Sequence, residues 1–442
     1  MDKKKSLKLF ALLFSLVSCG FASSPPIGLD EHIIDRAIVL ENSRCLDSLI
    51  SLASQDKMVL LGEASHGTHE YYIWRDSISR RLIVEHGFDF IAVEGDFASL
   101  YELNRYVKGL PGALPTAREA LLQIDRWPLW MWSNYEVLEL AEWLREHNKT
   151  LAPQHRVGFY GMDVYDEWGS KSALLNFLRK HNRVLHSKVQ DYYACFSPFA
   201  GDSWAYAMAV QQQNVDCSDE AMRVVSLLEE SRGLLANVTE YEFFYALQNA
   251  IVKKNAEKFF RLSATHRDAS AWNSRVHHMH QTVNRLLDHY GENSQGIVWA
   301  HNTHIGDARF TEMRQGRQQN IGELARVHWG PENVFAVGFT TYKGRVMAAG
   351  EWGNQMSEMH IAPARPNSLE KLLENTGIKS FYMLFDDIDR THAEFMKPMG
   401  HRAVGVVFNP ANEPFQYVNS IVPLRYDALI FFRQTEALNP LN

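Results

Sequence analysis

The chain has 442 residues, of which 46% are hydrophobic and 22% charged, and its formal net charge is -7 at neutral pH. This is an ordinary globular composition, long enough for one large domain or two of average size. Because nucleic-acid-binding proteins usually carry a strongly basic face, the acidic balance argues against nucleic acid as a partner. The sequence alone does not indicate an oligomeric state.

Residues 1–24 are typical of an export signal. Lysines 3–5 and 8 precede an apolar run over residues 9–17, which is too short to span a membrane. Residues 16–19 match a bacterial lipobox, in which cleavage before Cys19 leaves a lipidated N-terminus, whereas residues 21–23 fit ordinary secretory cleavage. We therefore expect an exported protein, periplasmic or anchored to the envelope, whose only membrane contact is a lipid on Cys19.

Export changes what the remaining cysteines indicate. If Cys19 is removed or lipidated, three cysteines remain: Cys45, Cys195 and Cys217. Because three is an odd number, they cannot all form disulfides within one chain. Cys195 with Cys217 is the most plausible disulfide in an oxidising compartment, and three buried free thiols are the alternative. The sequence has no C-x-x-C pair, so it does not indicate a cysteine zinc site.

Apolar runs along the chain predict strands separated by helical segments. A helical stretch over residues 33–54 precedes a first strand at 58–61, and a helical pattern over 70–86 ends at Gly87, a usual left-handed helix stop. A second strand at 88–93 completes a strand–helix–strand unit, which implies two parallel strands. Residues 97–155 and 170–290 are predicted to be mainly helical. Further strands are predicted at 157–160, 297–300, 334–340, 381–385 and 428–432, with a weaker candidate at 404–408.

These elements predict an α/β fold with a mostly parallel central sheet flanked by helices and a large helical insertion at about residues 165–290, within one catalytic unit over 25–442. Ligands bind beyond the carboxyl ends of the strands in such sheets. Four predicted strands deliver titratable side chains at that end, so we expect a cleft of carboxylates and imidazoles there. The side chains are Glu63 with His66, Glu94, Asp163, and His301 with His304.

His66 is the candidate general base, because a neutral imidazole is well suited to take a proton at neutral pH. Glu63, three residues earlier, is placed to fix its tautomer. Arg75 lies in the following helix and could direct its guanidinium at an oxyanion or a substrate carboxylate. Asp163 is expected to bind substrate, while His69 is expected to face solvent or cap the helix.

The H-x-x-H pair of His301 and His304 could supply two metal ligands, two oxyanion donors, or an acid and its orienter. With His66 and Glu94 the pair could hold a divalent metal, although no metal is required. The zinc-helix signature, the G-x-S-x-G elbow, the P-loop and the dinucleotide glycine motif are all missing from the sequence. The histidines at 277, 278 and 280 lie on a predicted helix and are expected mostly at the surface.

Five parts of the sequence form an ordered set of motifs: Gly62–Gly67, Arg75, residues 87–94, Tyr160–Asp163 and Trp299–His304. Together they resemble the erythromycin esterase family, which includes macrolide lactone hydrolases. The resemblance implies an α/β core with a deep cleft, in which His66 activates water and the positions Glu63, Arg75, Glu94, His301 and His304 line the site. Water would then open the lactone without a covalent enzyme intermediate, and Arg75 or a second histidine would stabilise the oxyanion.

The resemblance has one local departure and leaves three functions open. Val276 and Thr282 replace polar groups of the family, so one wall of the cleft is expected to differ. The leading hypothesis is an exported, metal-independent hydrolase of an ester or lactone, with a macrolide as one possible substrate. The alternatives are a metal-dependent hydrolase or transferase acting on an envelope saccharide or phosphoester, and a non-enzymatic envelope protein whose Trp-rich segment 127–143 helps capture a small ligand.

Overall fold

The computed structural model describes residues 28–235 and 237–441, so the predicted leader and Cys19 lie outside the described residues. The strands are β1 (Ile38–Val39), β2 (Met58–Leu61), β3 (Phe90–Asp96), β4 (Gly158–Asp163), β5 (Gly296–Trp299), β6 (Val334–Ala348), β7 (Ser357–Ile361), β8 (Ser380–Leu384), β9 (Met399–Arg402), β10 (Tyr417–Ser420) and β11 (Ala428–Thr435).

The helices are α1 (Leu29–Arg36), α2 (Asp47–Ala53), α3 (His69–His86), α4 (Tyr101–Lys108), α5 (Ala117–Leu121), α6 (Tyr135–Lys149), α7 (Glu167–His181), α8 (Arg183–Tyr192), α9 (Ser203–Gln213), α10 (Ser218–Glu230), α11 (Glu240–Thr265), α12 (Ser270–Tyr290), α13 (Asn302–Ile305), α14 (Ile321–Trp329), α15 (Leu369–Asn375), α16 (Asp387–Thr391) and α17 (Val422–Arg425). No helix of the described ranges is long and apolar enough to cross a membrane.

The central sheet has the strand order β1-β8-β11-β6-β2-β5-β3-β4, and β7 pairs with β6 at one side. The six strands from β11 to β4 are parallel, whereas β8, β1 and β7 run antiparallel to their neighbours. Every residue of β2 and β5 is buried, as expected for strands covered by helices on both faces. The predicted fold class is confirmed.

The strand order explains how distant segments meet. Strand β5 lies between β2 and β3, with Met58 and Phe90 both in register with Gly296. The carboxyl ends of β2, β5, β3 and β4 are therefore consecutive along one edge of the sheet. These are the four ends that carry the predicted site residues.

Six helices, α7 to α12, lie between β4 and β5 and correspond to the predicted helical insertion. They enclose a separate cluster of buried apolar side chains. Helix α11 begins with a capping box, in which Thr239 and Glu242 satisfy each other's backbone N–H groups. A disulfide joins Cys195 to Cys217 at the start of α10, and Cys45 is a free cysteine.

Two predictions of secondary structure were wrong. The helix predicted over 33–54 is interrupted, because the β-branched pair Ile38–Val39 instead extends the sheet edge beside β8. Residues 404–408 form no strand; Val404 makes one isolated bridge to Ser65 and Val407 another to Ala349. The flanking strands β9 and β10 pair with each other in a small antiparallel sheet that the sequence pattern did not indicate.

The predicted surface location of the histidines on α12 was also wrong for two of them. His278 and His280 are buried, because α12 packs against α11 on one side and α14 on another. His278 hydrogen-bonds Asn255 at 2.8 Å, and His280 lies 3.2 Å from a ring nitrogen of His328. Burial lowers the pKa of His278 to about 3 and that of His280 to about 4. Both imidazoles are therefore neutral parts of the helix packing.

Candidate active site

A cavity of about 500 Å³ opens at the carboxyl edge of the central sheet. Five of the seven predicted site residues line it, and they arrive from the ends of four adjacent strands: His66, Glu94, Asp163, His301 and His304. The other two, Glu63 and Arg75, lie behind the cavity wall. The prediction that separate strand ends converge on one cleft is thus matched by the geometry.

Glu63 connects His66 to Arg75. One carboxylate oxygen of Glu63 lies 2.8 Å from Nδ1 of His66, and the other lies 2.8 Å from Nη2 of Arg75. Glu63 and Arg75 are both 0% exposed. The Arg75 guanidinium is also stacked between Tyr72 and Trp299, with its carbon 4.3 and 4.7 Å from the two ring centroids. Arg75 therefore holds Glu63 in place and does not reach the cavity, contrary to the expected contact with an oxyanion.

The loop that carries His66 is fixed by close backbone packing. The hydroxyl of Tyr72 donates to the His66 carbonyl at 3.1 Å. Two backbone N–H groups, from Met347 and Leu438, donate to the carbonyl of Gly67. A Cβ at position 67 would lie 1.9 Å from the Met347 carbonyl oxygen, so only glycine fits there. The small residues of this loop let the backbone pack tightly while it presents one imidazole to the cavity.

The surroundings of His66 favour its protonated form. Burial opposes a charge on the ring, but the hydrogen bond with Glu63 and the negative charge of Glu94 outweigh it and raise the pKa of His66 above its ordinary value. Because Glu63 occupies Nδ1, the proton that His66 exchanges with a ligand is carried on Nε2. His66 can therefore take a proton from a bound water and hold it as an imidazolium.

Glu94 is the centre of a second charged group. Its Oε1 accepts from Nη2 of Arg275 at 3.0 Å and lies 3.2 Å from Nε2 of His304, while its Oε2 accepts from the backbone N–H of His301 at 2.9 Å. Arg275 also donates two hydrogen bonds to the Asp163 carboxylate, at 2.9 and 2.6 Å. Despite burial, the charges of His304, His66 and Arg275 hold the pKa of Glu94 well below its ordinary value.

His301 is arranged as a neutral donor. Its Nδ1 accepts a hydrogen bond from the backbone N–H of Thr303 at 3.2 Å, so the ring proton is on Nε2. That Nε2 is buried and makes no well-formed hydrogen bond to the described residues, although the backbone of Ala64 lies nearby. The ring centroid is 5.0 Å from that of His66. Burial and the charge of His66 lower the pKa of His301 well below its ordinary value, so the ring stays neutral.

The sequence reasoning missed several cavity residues. Arg275 comes from α12 in the helical insertion, next to Val276, where the family resemblance predicted a changed wall of the cleft. Trp272, one turn earlier, stacks on His304 with ring centroids 4.7 Å apart. Asp96, at the end of β3, forms an ion pair with Arg126, and both residues line the cavity. No spacing rule indicates that Arg275 and Trp272 on α12 meet residues at the strand ends, because these segments are distant in sequence.

The residues that could hold a divalent metal, His66, Glu94, His301 and His304, already contact other protein groups. Both oxygens of Glu94 already accept hydrogen bonds, and its neighbours are Arg275 and the backbone of His301. Within residues 28–235 and 237–441, no three His, Cys, Asp or Glu side chains are arranged to share one ion. The positively charged Arg275 occupies the position beside Glu94 that a cation would need.

Comparison with known proteins adds the family to this geometry. The family model described as erythromycin esterase matches residues 83–435. The chain belongs to the erythromycin esterase family. It is also 22% identical over 373 residues to erythromycin esterase type II of Escherichia coli, a match that covers 77% of this chain and 83% of that protein.

Solved structures show the same fold at low identity. A Bacillus cereus protein superimposes with a TM-score of 0.76 at 18% identity, covering 93% of this chain and 98% of that one. A succinoglycan biosynthesis protein gives 0.74 at 19% identity, with 93% and 97% covered. An erythromycin esterase mutant in its open conformation gives 0.65 at 16% identity, with 90% and 95% covered.

Membership of the family supports a hydrolase of the erythromycin esterase type that acts on a small molecule. The matched region begins at residue 83, after the loop that holds Glu63 and His66. The roles of those two residues therefore rest on the geometry described above.

Proposed function

We propose that this chain is an exported esterase that hydrolyses an ester or lactone with a water molecule activated by His66. The observation that carries the proposal is the buried line from Arg75 through Glu63 to His66, which ends at the floor of the cavity. A carboxylate on Nδ1 orients the imidazole and makes Nε2 the basic atom. The same arrangement stabilises the imidazolium that forms when His66 takes a proton.

The reaction follows from the positions of these groups. His66 Nε2 removes a proton as the water oxygen attacks the ester carbonyl carbon, and the carbonyl oxygen becomes an oxyanion. When the tetrahedral intermediate collapses, the carbon–oxygen bond to the alcohol breaks, and the imidazolium returns its proton to the leaving alkoxide. The products are a carboxylic acid and an alcohol, or a single hydroxy acid when the substrate is a lactone. The serine elbow that would form an acyl-enzyme is missing from the sequence.

His301 is the proposed oxyanion donor in place of Arg75. Its neutral ring lines the cavity next to that of His66, whereas the Arg75 guanidinium is enclosed by Tyr72 and Trp299 and does not line the cavity. A donor fixed in a water-poor site stabilises developing charge without having to reorient. Arg275, in turn, keeps Glu94 charged and close to His304.

A macrolide lactone is one candidate substrate, supported by the family and by a cavity of about 500 Å³. Export is supported by the leader over residues 1–24. The leader is removed either by cleavage before a lipidated Cys19 or by ordinary secretory cleavage. Cell fractionation with a Cys19→Ser variant separates them, because only a lipidated protein moves from the membrane to the soluble envelope fraction when the cysteine is lost.

The decisive experiment replaces His66. His66→Asn is expected to lower kcat/KM on an ester and lactone panel by about 10²- to 10⁴-fold, the usual contribution of a general base. The matched control is His69→Asn, three residues later at the start of α3, whose Nδ1 lies 2.6 Å from Glu136 and which does not line the cavity. A folded His66→Asn protein with the full activity of the parent would refute the mechanism, and thermal denaturation establishes that it is folded.

A further inference from the structure

The mouth of the cavity is lined by four aromatic side chains, two of which are largely exposed to solvent. Trp352 is 57% exposed and Phe415 is 84% exposed. Together with Trp127 and Tyr165 they form what we call the aromatic mouth, and all four line the cavity. Large aromatic surfaces left open at a cavity entrance are typical of a binding surface.

The aromatic mouth is a built arrangement that leads to the reaction centre. The indole N–H of Trp127 donates to the Asn354 carbonyl at 2.9 Å, which fixes that ring, and the Trp127 and Trp352 centroids are 4.4 Å apart. Tyr165 follows at 6.4 Å from Trp352. The guanidinium carbon of Arg275 then lies 5.1 Å from the Tyr165 centroid. A ligand lying on these rings therefore extends directly to the groups beside Glu94.

The charges of the cavity select against an anionic ligand. Two guanidinium groups line it, and each is already paired: Arg275 with Asp163 and Glu94, and Arg126 with Asp96. A phosphate, sulfate or uronate would have to displace a buried carboxylate to gain a cationic partner. The geometry favours a ligand without net negative charge.

The polar groups of the wall select against a purely apolar ligand. The amide oxygen of Gln416, next to Phe415, is buried and has no hydrogen-bond partner among the described residues. Gln318 also lines the cavity, and its side-chain amide hydrogen-bonds none of those residues. Burying such groups under hydrocarbon is unfavourable, whereas a hydroxyl group donates to the amide oxygen.

We propose that the ester is carried by a neutral saccharide, one ring of which stacks in the aromatic mouth. A pyranose ring has an apolar C–H face for Trp352 and Tyr165 and hydroxyl groups for Gln416 and Gln318. When this ring is stacked, an ester on the same sugar, or on the adjacent sugar of the chain, lies next to Arg275 at the floor of the cavity. The reaction at the ester rests on the proposed function, but binding of the saccharide is a separate property that can be measured without any turnover.

The test measures binding first. Cellotetraose, maltotetraose, the tetramer of N-acetylglucosamine and tetragalacturonate are titrated against the parent, Trp352→Ala and Trp204→Ala by calorimetry. Trp204 is the matched control, because it is 54% exposed, lies on α9 and does not line the cavity. At least one neutral tetrasaccharide is expected to bind the parent and the Trp204 variant equally. Trp352→Ala is expected to raise its Kd about tenfold or more, as truncation of a binding tryptophan does.

The second arm measures turnover. The ratio of kcat/KM for the O-acetylated form of the bound saccharide to that for 4-nitrophenyl acetate is expected to fall about tenfold in Trp352→Ala, mainly through KM. Saccharide binding that depends on Trp352 without hydrolysis of any ester would support this proposal and contradict the proposed function. The saccharide proposal is overturned if none of the neutral tetrasaccharides binds, if tetragalacturonate binds more tightly than they do, or if both tryptophan variants bind alike. Trp352-dependent binding of a sugar-free macrolactone in the absence of saccharide binding would also overturn it.

Discussion

Replacing Glu63 with glutamine is expected to move the acid limb of the pH–activity profile to lower pH. The general base must be neutral to accept a proton, so kcat/KM rises with pH through the pKa of His66 in the free enzyme. In the parent that pKa is raised, because Glu63 and Glu94 outweigh the effect of burial. The amide of glutamine can still accept from Nδ1 and keep the ring orientation, but it carries no charge.

The magnitude follows from the 2.8 Å contact between Glu63 and Nδ1 of His66. A hydrogen bond to a charged partner contributes about 1.5–3 kcal/mol, and about 1.4 kcal/mol corresponds to one pKa unit. The acid limb should therefore shift down by about one to two units, while the plateau rate falls because the imidazolium is less stabilised. The assay is kcat/KM on one soluble ester across pH 4–9 in buffers of constant ionic strength, a range set by the ordinary pKa of histidine at about 6.5.

The substitution also affects stability, which the design must separate from catalysis. Glu63→Gln leaves the fully buried Arg75 without its carboxylate, at a cost of about 3–5 kcal/mol for an uncompensated buried charge. Adding Arg75→Met removes that charge and should restore the free energy of unfolding towards that of the parent. The acid limb should stay shifted in both variants. A limb that remains at the parental pH in the folded double variant would show that Glu63 does not tune His66.

Three further results are expected. Arg275→Met should lower kcat/KM by about 10²-fold or more, because Glu94 and Asp163 lose the cation that they share. Arg275→Lys should not restore kcat/KM, since one ammonium group cannot reproduce the two hydrogen bonds to Asp163 at 2.9 and 2.6 Å. Reducing the disulfide between Cys195 and Cys217, which are 22 positions apart, should lower the free energy of unfolding by about 3 kcal/mol in denaturant titrations, with no effect of reductant on the double serine variant. Dialysis against chelator should leave kcat unchanged, because both Glu94 oxygens already accept hydrogen bonds; loss of activity that Zn²⁺ or Mn²⁺ restores would favour the metal-dependent alternative.

The convergence of the site could be predicted from the sequence because it follows from backbone topology. Parallel strands end at one edge, so Glu94, Asp163 and the histidine loops could be placed along the same edge of the sheet from the sequence; the strand order then makes them neighbours. The α/β class was equally accessible, since strands such as β2 and β5 are apolar throughout and bounded by turns. The strands themselves are indicated by their apolar pattern, and their common edge follows from the parallel connection.

What the sequence could not supply is the direction of side chains on helices. Arg75 was expected in the cleft, but α3 turns it inward between Tyr72 and Trp299. Arg275 was not singled out, yet α12 brings it to Glu94 because that helix packs against both α11 and α14. Which face of a helix meets the sheet is decided by neighbours distant in sequence, and periodicity does not identify those neighbours.

The position of β5 between β2 and β3 affects the order in which the protein can fold. Strand β2, which leads to His66, and β3, which leads to Glu94, do not pair with each other. Each pairs with β5, which begins at Gly296. Until that segment and β6 after it are made, both edges of β2 and one edge of β3 have no partner, a condition that invites aggregation and favours slow folding. The site is thus assembled late, and a fragment of the chain that stops before Gly296 contains His66, the proposed general base, but lacks the strand that lies between it and Glu94.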